Sequence, residues 1–145
     1  MALTQSVATS FKVELMNAVH NFTSDTFKIA LYTSSATLDQ TVTAYSATNE
    51  VSGTGYTAGG NTLSVSVVPT SANNSSGIGT AYISFSNTTW PGSTITARGA
   101  LIYNSSKANR AVAVLDFGAD KATSNDTFAV NFPTADANFA IVRIS

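Results

Sequence analysis

Residues 55–62 read Gly-Tyr-Thr-Ala-Gly-Gly-Asn-Thr, close in spacing to the G-x-x-x-x-G-K-[ST] loop that cradles phosphate. Asn61 stands where that loop needs its lysine, and a strand pattern follows where a helix N-terminus would be required. A conformational role is expected instead, with glycines at positive φ around a docked Tyr56. His20 is the single histidine and cysteine is absent, so one chain can assemble neither a multi-histidine metal site nor thiol chemistry. His20 is expected to stabilise the C-terminus of a short helix. Asp116, Asp120, Asn125 and Asp126 miss the spacing of a calcium loop and read as turn formers. No pattern pairs Glu50 with Asp116 or another acid across a cleft, as glycoside hydrolysis requires. We therefore assign no catalytic, cofactor or metal residue, and expect the protein not to be an enzyme.

Arg98 and Trp90 carry the remaining chemical interest. Arg98 lies inside the most apolar run of the chain, where an unpaired guanidinium would be strongly unfavourable, so it is expected to form a structural ion pair. Glu50 is the first candidate, because the glycine segment behind it can fold closely over a sheet, and Asp116 is the second. The alternative is that the strand exposes Arg98. Trp90, with Tyr45, Tyr56, Tyr82 and Tyr103, has the composition of a sugar-stacking platform, the mark of a β-sandwich carbohydrate-binding module. A single tryptophan beside Pro91-Gly92 fits better as an anchor of a core or an interface, and Tyr56 is placed with it.

The elements that would position these groups are mostly strands. Two apolar runs, 95–103 and 111–117, flank a polar segment and predict a long antiparallel hairpin at the centre of the fold. Further strands are expected over 27–32, with Lys28 on the wet side, over 63–67 until Pro69 ends the pairing, and over 81–85, 128–132 and 138–144. Residues 70–77 read as a flexible loop, Trp90-Pro91-Gly92 as a turn, and 34–50 as a long polar connection. Phe11, Leu15 and Val19 recur at four-residue steps and predict one helix, capped by Ser10. The fold class is all-β, a β-sandwich or jelly roll of about seven antiparallel strands with one short N-terminal helix. Residues 1–10 have no apolar period and are expected to form an arm that orders on a neighbour, with 11–145 a single domain.

Only 10% of the 145 residues are charged and the net charge is −1, against about 25% charged in an average domain. Such a surface makes little long-range field, so neither nucleic acid nor an anionic membrane is an expected partner. It suits close packing against neighbouring subunits, and would equally suit an exposed extracellular module. No secretory signal or apolar span is apparent.

Four stretches, SDTFKIALYTSSATLD (24–39), NEVSGTGYTAGGNTL (49–63), Trp90 followed by TITARGALIYNSS (94–106), and VAVLDFGADK (112–121), together resemble a family of small structural proteins of tailed-bacteriophage virions. The resemblance extends from about Phe11 to Ile144. It implies a non-enzymatic virion component made in the host cytoplasm, foremost a capsid decoration or cement protein on the outer head lattice, with a tail component as the alternative. It carries over no catalytic motif, and marks only the arginine of T-A-R-G-A, here Arg98, as a structural group. The implied partners are the major capsid protein and further copies of the chain, in a symmetric homo-oligomer with a trimer favoured over a dimer.

Overall fold

The computed structural model describes residues 2–145, and its architecture is all-β, sandwich-like, with one short helix. In chain order the elements are β1 (Ser6–Val7), α1 (Thr9–Met16), β2 (Phe27–Tyr32), β3 (Asn61–Leu63), β4 (Val65–Asn73), β5 (Gly79–Phe85), β6 (Thr88–Ser93), β7 (Thr96–Asn104), β8 (Arg110–Ala122), β9 (Asp126–Val130) and β10 (Val142–Ile144). All pairings between these strands are antiparallel, in sheets ordered β1-β8-β7-β2-β3, β10-β5-β4 and β6-β9.

The expected central hairpin is β7–β8, and β7 is the middle strand of the five-stranded sheet. Its apolar residues on both faces explain the position: Ala100, Leu101, Ile102 and Tyr103 are all buried, which only a strand covered on both sides allows. β2 beside it is buried in the same way apart from half-buried Lys28, so it is more enclosed than an alternating strand with one wet face. Phe27 of this sheet meets Phe85 of β5 at a ring separation of 5.8 Å, joining two sheets across the core.

β6 runs towards β7 and β8 towards β9 with matching breaks. Ser93 pairs with Asp126 and Thr96 with Ala122, and Thr123 N–H donates to the Ile95 carbonyl at the bend between them. The result is one long ribbon folded at a corner, a common way for a strand to pass between sheets. Trp90-Pro91-Gly92 lies within β6 and is not a turn; the irregularity falls between Trp90 and Ser93. Pro69 does not end its strand either, because β4 continues to Asn73 with register breaks around Val67 and Thr70 that accommodate a residue without an N–H. The expected loop at 70–77 thus shortens to the tip of a β4–β5 hairpin, and the strand count rises from about seven to ten among the described residues.

The N-terminal residues are part of the domain, contrary to the expected free arm. Ser6 and Val7 pair with Val114 and Ala113, Leu3 bridges to Leu38, and Leu3 and Ala8 are buried. Met1 of that arm lies outside the described residues. Leu3 seats its side chain over Gly99 of β7, where an added Cβ would stand 2.4 Å from Leu3 Cδ2. The helix begins after Ala8, which provides no side-chain cap, and ends at Met16, so Ser10 is inside it.

Candidate functional site

Glu50 is the polar centre of the molecule, held by the glycine segment that the sequence had singled out. Its Oε1 accepts from the Tyr56 hydroxyl at 2.6 Å and from the Gly59 N–H at 2.7 Å, and its Oε2 accepts from the Tyr45 hydroxyl at 2.6 Å. Tyr103 reaches the same place, donating to the Gly59 carbonyl at 2.7 Å and stacking on Tyr45 with ring centroids 4.7 Å apart. The segment can lie this close because Gly60 has φ +71° and a Cβ there would fall 1.8 Å from the Ile29 carbonyl oxygen.

Tyr56 explains why the segment docks there. β3 pairs with β2 only as far as Ile29, which leaves the Leu31 N–H to find another partner. Tyr56 Oη accepts that hydrogen bond at 2.9 Å while Val51 N–H donates to the Leu31 carbonyl, so the loop completes the sheet edge that β3 leaves open. Burial, followed by the Glu50 carboxylate, pushes the phenols of Tyr45 and Tyr56 well above their ordinary range. Tyr32 and Tyr103 move the same way for the same two reasons, burial first and the Glu50 charge second.

Arg98 does not pair with Glu50, the partner ranked first. Its Nε donates to Asp116 Oδ1 at 3.1 Å, and both side chains keep a quarter to a third of their exposure, 34% and 25%. The pair is therefore partly exposed, and it forms with Asp116, the candidate ranked second, instead of Glu50. The physical reason is that Glu50 is already saturated by three shorter bonds, while Asp116 lies on the adjacent strand β8 beside Gly99. The Gly118 N–H, more than Arg98 itself, holds the Asp116 carboxyl below its usual range.

A second polar cluster escaped the sequence analysis. His20 is not at the end of α1 but beyond it, buried, with Nε2 2.6 Å from Glu14 Oε2 and Nδ1 3.0 Å from Asn104 Nδ2. Asn104 Oδ1 accepts from Ser106 N–H and its Nδ2 also donates to Asp25 Oδ2 at 2.8 Å, which fixes the amide orientation and makes His20 Nδ1 the acceptor. His20 is then the neutral tautomer donating from Nε2 to Glu14. Arg110 Nη1 contacts Glu14 Oε1 at 2.6 Å, so the chain Arg110–Glu14–His20–Asn104–Asp25 ties α1 and the following turn to the tip of the central hairpin. Glu14, one helical turn from Phe11, was the available signal; a lone acid on an apolar stripe implies a buried partner.

Trp90 is buried, with its ring 5.9 Å from Tyr56 and 6.1 Å from Phe128. It is a core anchor, and its Nε1 has no hydrogen-bond partner among the described residues. Tyr103 is buried as well, so these two rings do not join Tyr45, Tyr56 and Tyr82 in a stacking platform facing solvent. Among the described residues no three of His, Cys, Asp and Glu gather as a metal site, and no helix is long and apolar enough to cross a membrane. In comparisons with known proteins the chain matches no family model, no curated protein and no solved structure.

Proposed function

We propose that the protein is a non-enzymatic structural component of a tailed-bacteriophage virion. It is made in the host cytoplasm and seated as a decoration or cement protein on the outer head shell. Its partners are the major capsid protein and neighbouring copies of itself, in a symmetric homo-oligomer that is a trimer before a dimer.

The observation that carries this reading is how the polar side chains are used. The Glu50 carboxylate is occupied by two tyrosine hydroxyls and a backbone N–H, both nitrogens of His20 are engaged by Glu14 and Asn104, and Asp116 is shared between Arg98 and Gly118. These groups hold segments together. The four stretches that resemble the virion family fall in the same framework: residues 24–39 contain β2, 49–63 the glycine segment and β3, 94–106 β7, and 112–121 most of β8. The low charge favours the reading too, because charge left unpaired in a subunit contact costs several kcal/mol, about 3–5 when a buried pair is broken.

The test is made on particles. Mass spectrometry of purified virions should find the protein in many copies, and purified protein should bind isolated shells of the same phage. Absence from virions would end the structural reading. Binding to tails alone would move the protein to the tail.

A further inference from the structure

An apolar groove runs between α1 and the three-stranded sheet, with a cavity of about 330 Å³ lined by Phe11, Leu15, Pro69, Ala81, Ile83 and Val142. A second cavity of about 470 Å³ adjoins it along Leu15, Met16 and Ile144. Met16 at 81% exposure and Ile144 at 50% extend the apolar surface onto the rim. His20 also lines the groove, but its two nitrogens are already engaged by Glu14 and Asn104. The charge at the rim comes from Lys12. Arg98, Lys107 and Arg110 face Asp116, Asp25 and Glu14, and Arg143 donates to the Asn138 carbonyl beside Phe139, whereas Lys12 has no carboxylate partner among the described residues.

The same molecule carries a feature of complementary shape and charge. Phe139 is 62% exposed, on a turn held by Asp136 Oδ1, which accepts from the Asn138 and Phe139 N–H groups at 2.8 and 3.0 Å. An aromatic ring thus projects beside a carboxylate. It does so away from the groove: Phe139 borders a depression shared with Thr80 and Arg143, whereas Val142, Ile144 and their register partners Ile83 and Ala81 line the groove. Alternation along β5 and β10 puts Thr80 and Arg143 on the face opposite Ala81, Ile83, Val142 and Ile144, and the Phe139 turn lies beside the first pair.

We propose that the groove is the docking site for a second copy of this chain, whose Phe139 enters it while its Asp136 meets Lys12. A ring in an apolar pocket with complementary charge at its edge is the usual form of an interface anchor. Because the projecting ring and the groove lie on different surfaces of the molecule, the contact is head-to-tail. The proposal rests on the homo-oligomeric part of the reading above and names its contact surface.

Sedimentation across a concentration series tests it with three variants that should melt like the wild type, since all three substituted positions are exposed. Phe139→Ser removes the projecting ring and Ala81→Trp fills the groove; each should raise the dissociation constant of the oligomer at least about tenfold. Lys12→Glu should weaken it severalfold. Mixing Phe139→Ser with Ala81→Trp should restore a one-to-one pair, since one retains an open groove and the other an intact ring. A monomeric wild type overturns the proposal, as does failure of the mixture to associate. An oligomer that survives both single substitutions also overturns it and leaves self-association standing through another surface. Detection in purified virions is independent of all these outcomes, so the virion reading stands or falls separately.

Discussion

At the scale of single residues, the two acids proposed for Arg98 have opposite fates, and the difference decides what each substitution should do. Arg98–Asp116 is a partly exposed pair, so Arg98→Met should cost less than about 1 kcal/mol in thermal or denaturant unfolding. Tyr56→Phe is the more damaging change although it removes one oxygen. It takes a donor from Glu50 and an acceptor from the Leu31 N–H, each worth about 1–3 kcal/mol if left unsatisfied away from water. Denaturant midpoints of the two variants should therefore rank Tyr56→Phe well below Arg98→Met, and the reverse order would mean that the glycine segment does not depend on Glu50. The sequence showed that residues 53–60 must bend around Tyr56, since glycine spacing reveals where a backbone can take positive φ. It could not show which carboxylate the tyrosines would claim, because hydroxyl donors distributed over residues 45–103 converge only once β2 and β7 are paired. The Glu14–His20–Asn104 chain was hidden for the same reason, its members being separated by up to 90 positions in sequence, the difference between 104 and 14.

At the scale of elements, strands with strong local pattern were legible and those that depend on the rest of the fold were not. The central hairpin was visible because its two apolar runs and polar tip are contiguous in sequence. β1 was missed because two residues carry no period, and its existence depends on the open edge of β8 at Ala113 and Val114. Pro69 and Pro91 misled for a related reason: both sit where pairing is already irregular, so the missing N–H does not interrupt a ladder. The placement of β1 changes the expected result of truncation. Removing residues 2–8 takes Leu3 from above Gly99 and uncovers the edge of β8, and burial of a leucine alone is worth about 1.5–3 kcal/mol. The truncated chain should melt at a clearly lower temperature, with Leu3→Ala reproducing much of the loss. An unchanged melt would return these residues to the role of an arm that orders on a neighbour.

At the scale of the whole molecule, stability should have a broad plateau bounded by two different sets of groups. On the acid side, Asp116 is held below its ordinary value of 3.8 chiefly by the Gly118 N–H and then by Arg98. For Asp25 burial acts upward, but the bonds from Asn104 and Asn21 and the charge of Lys107 outweigh it. A depressed carboxyl stabilises the fold above the unfolded value, and that contribution is lost as pH falls through the folded one. On the alkaline side, Tyr32, Tyr45, Tyr56 and Tyr103 all lie above their ordinary 10.0, through burial first and the Glu50 carboxylate after it. A raised phenol contributes fully below the unfolded pKa, near 10, and loses that contribution as pH climbs towards the folded value, because the unfolded chain gives up its protons first. Four such tyrosines around one carboxylate make the alkaline limb the steeper of the two. Melting temperature should accordingly hold level from about pH 5 to 9 and fall sharply above about 10. Phenolate absorbance should rise together with loss of the fold, since these hydroxyls cannot ionise while they donate to Glu50, Gly59 and Ser46. Tyr45→Phe should shift this limb and leave the acid limb in place. Ionisation of all the tyrosines near pH 10 in a still-folded protein would show that the Glu50 cluster is open to water, and the closed polar centre on which the structural reading depends would be lost with it.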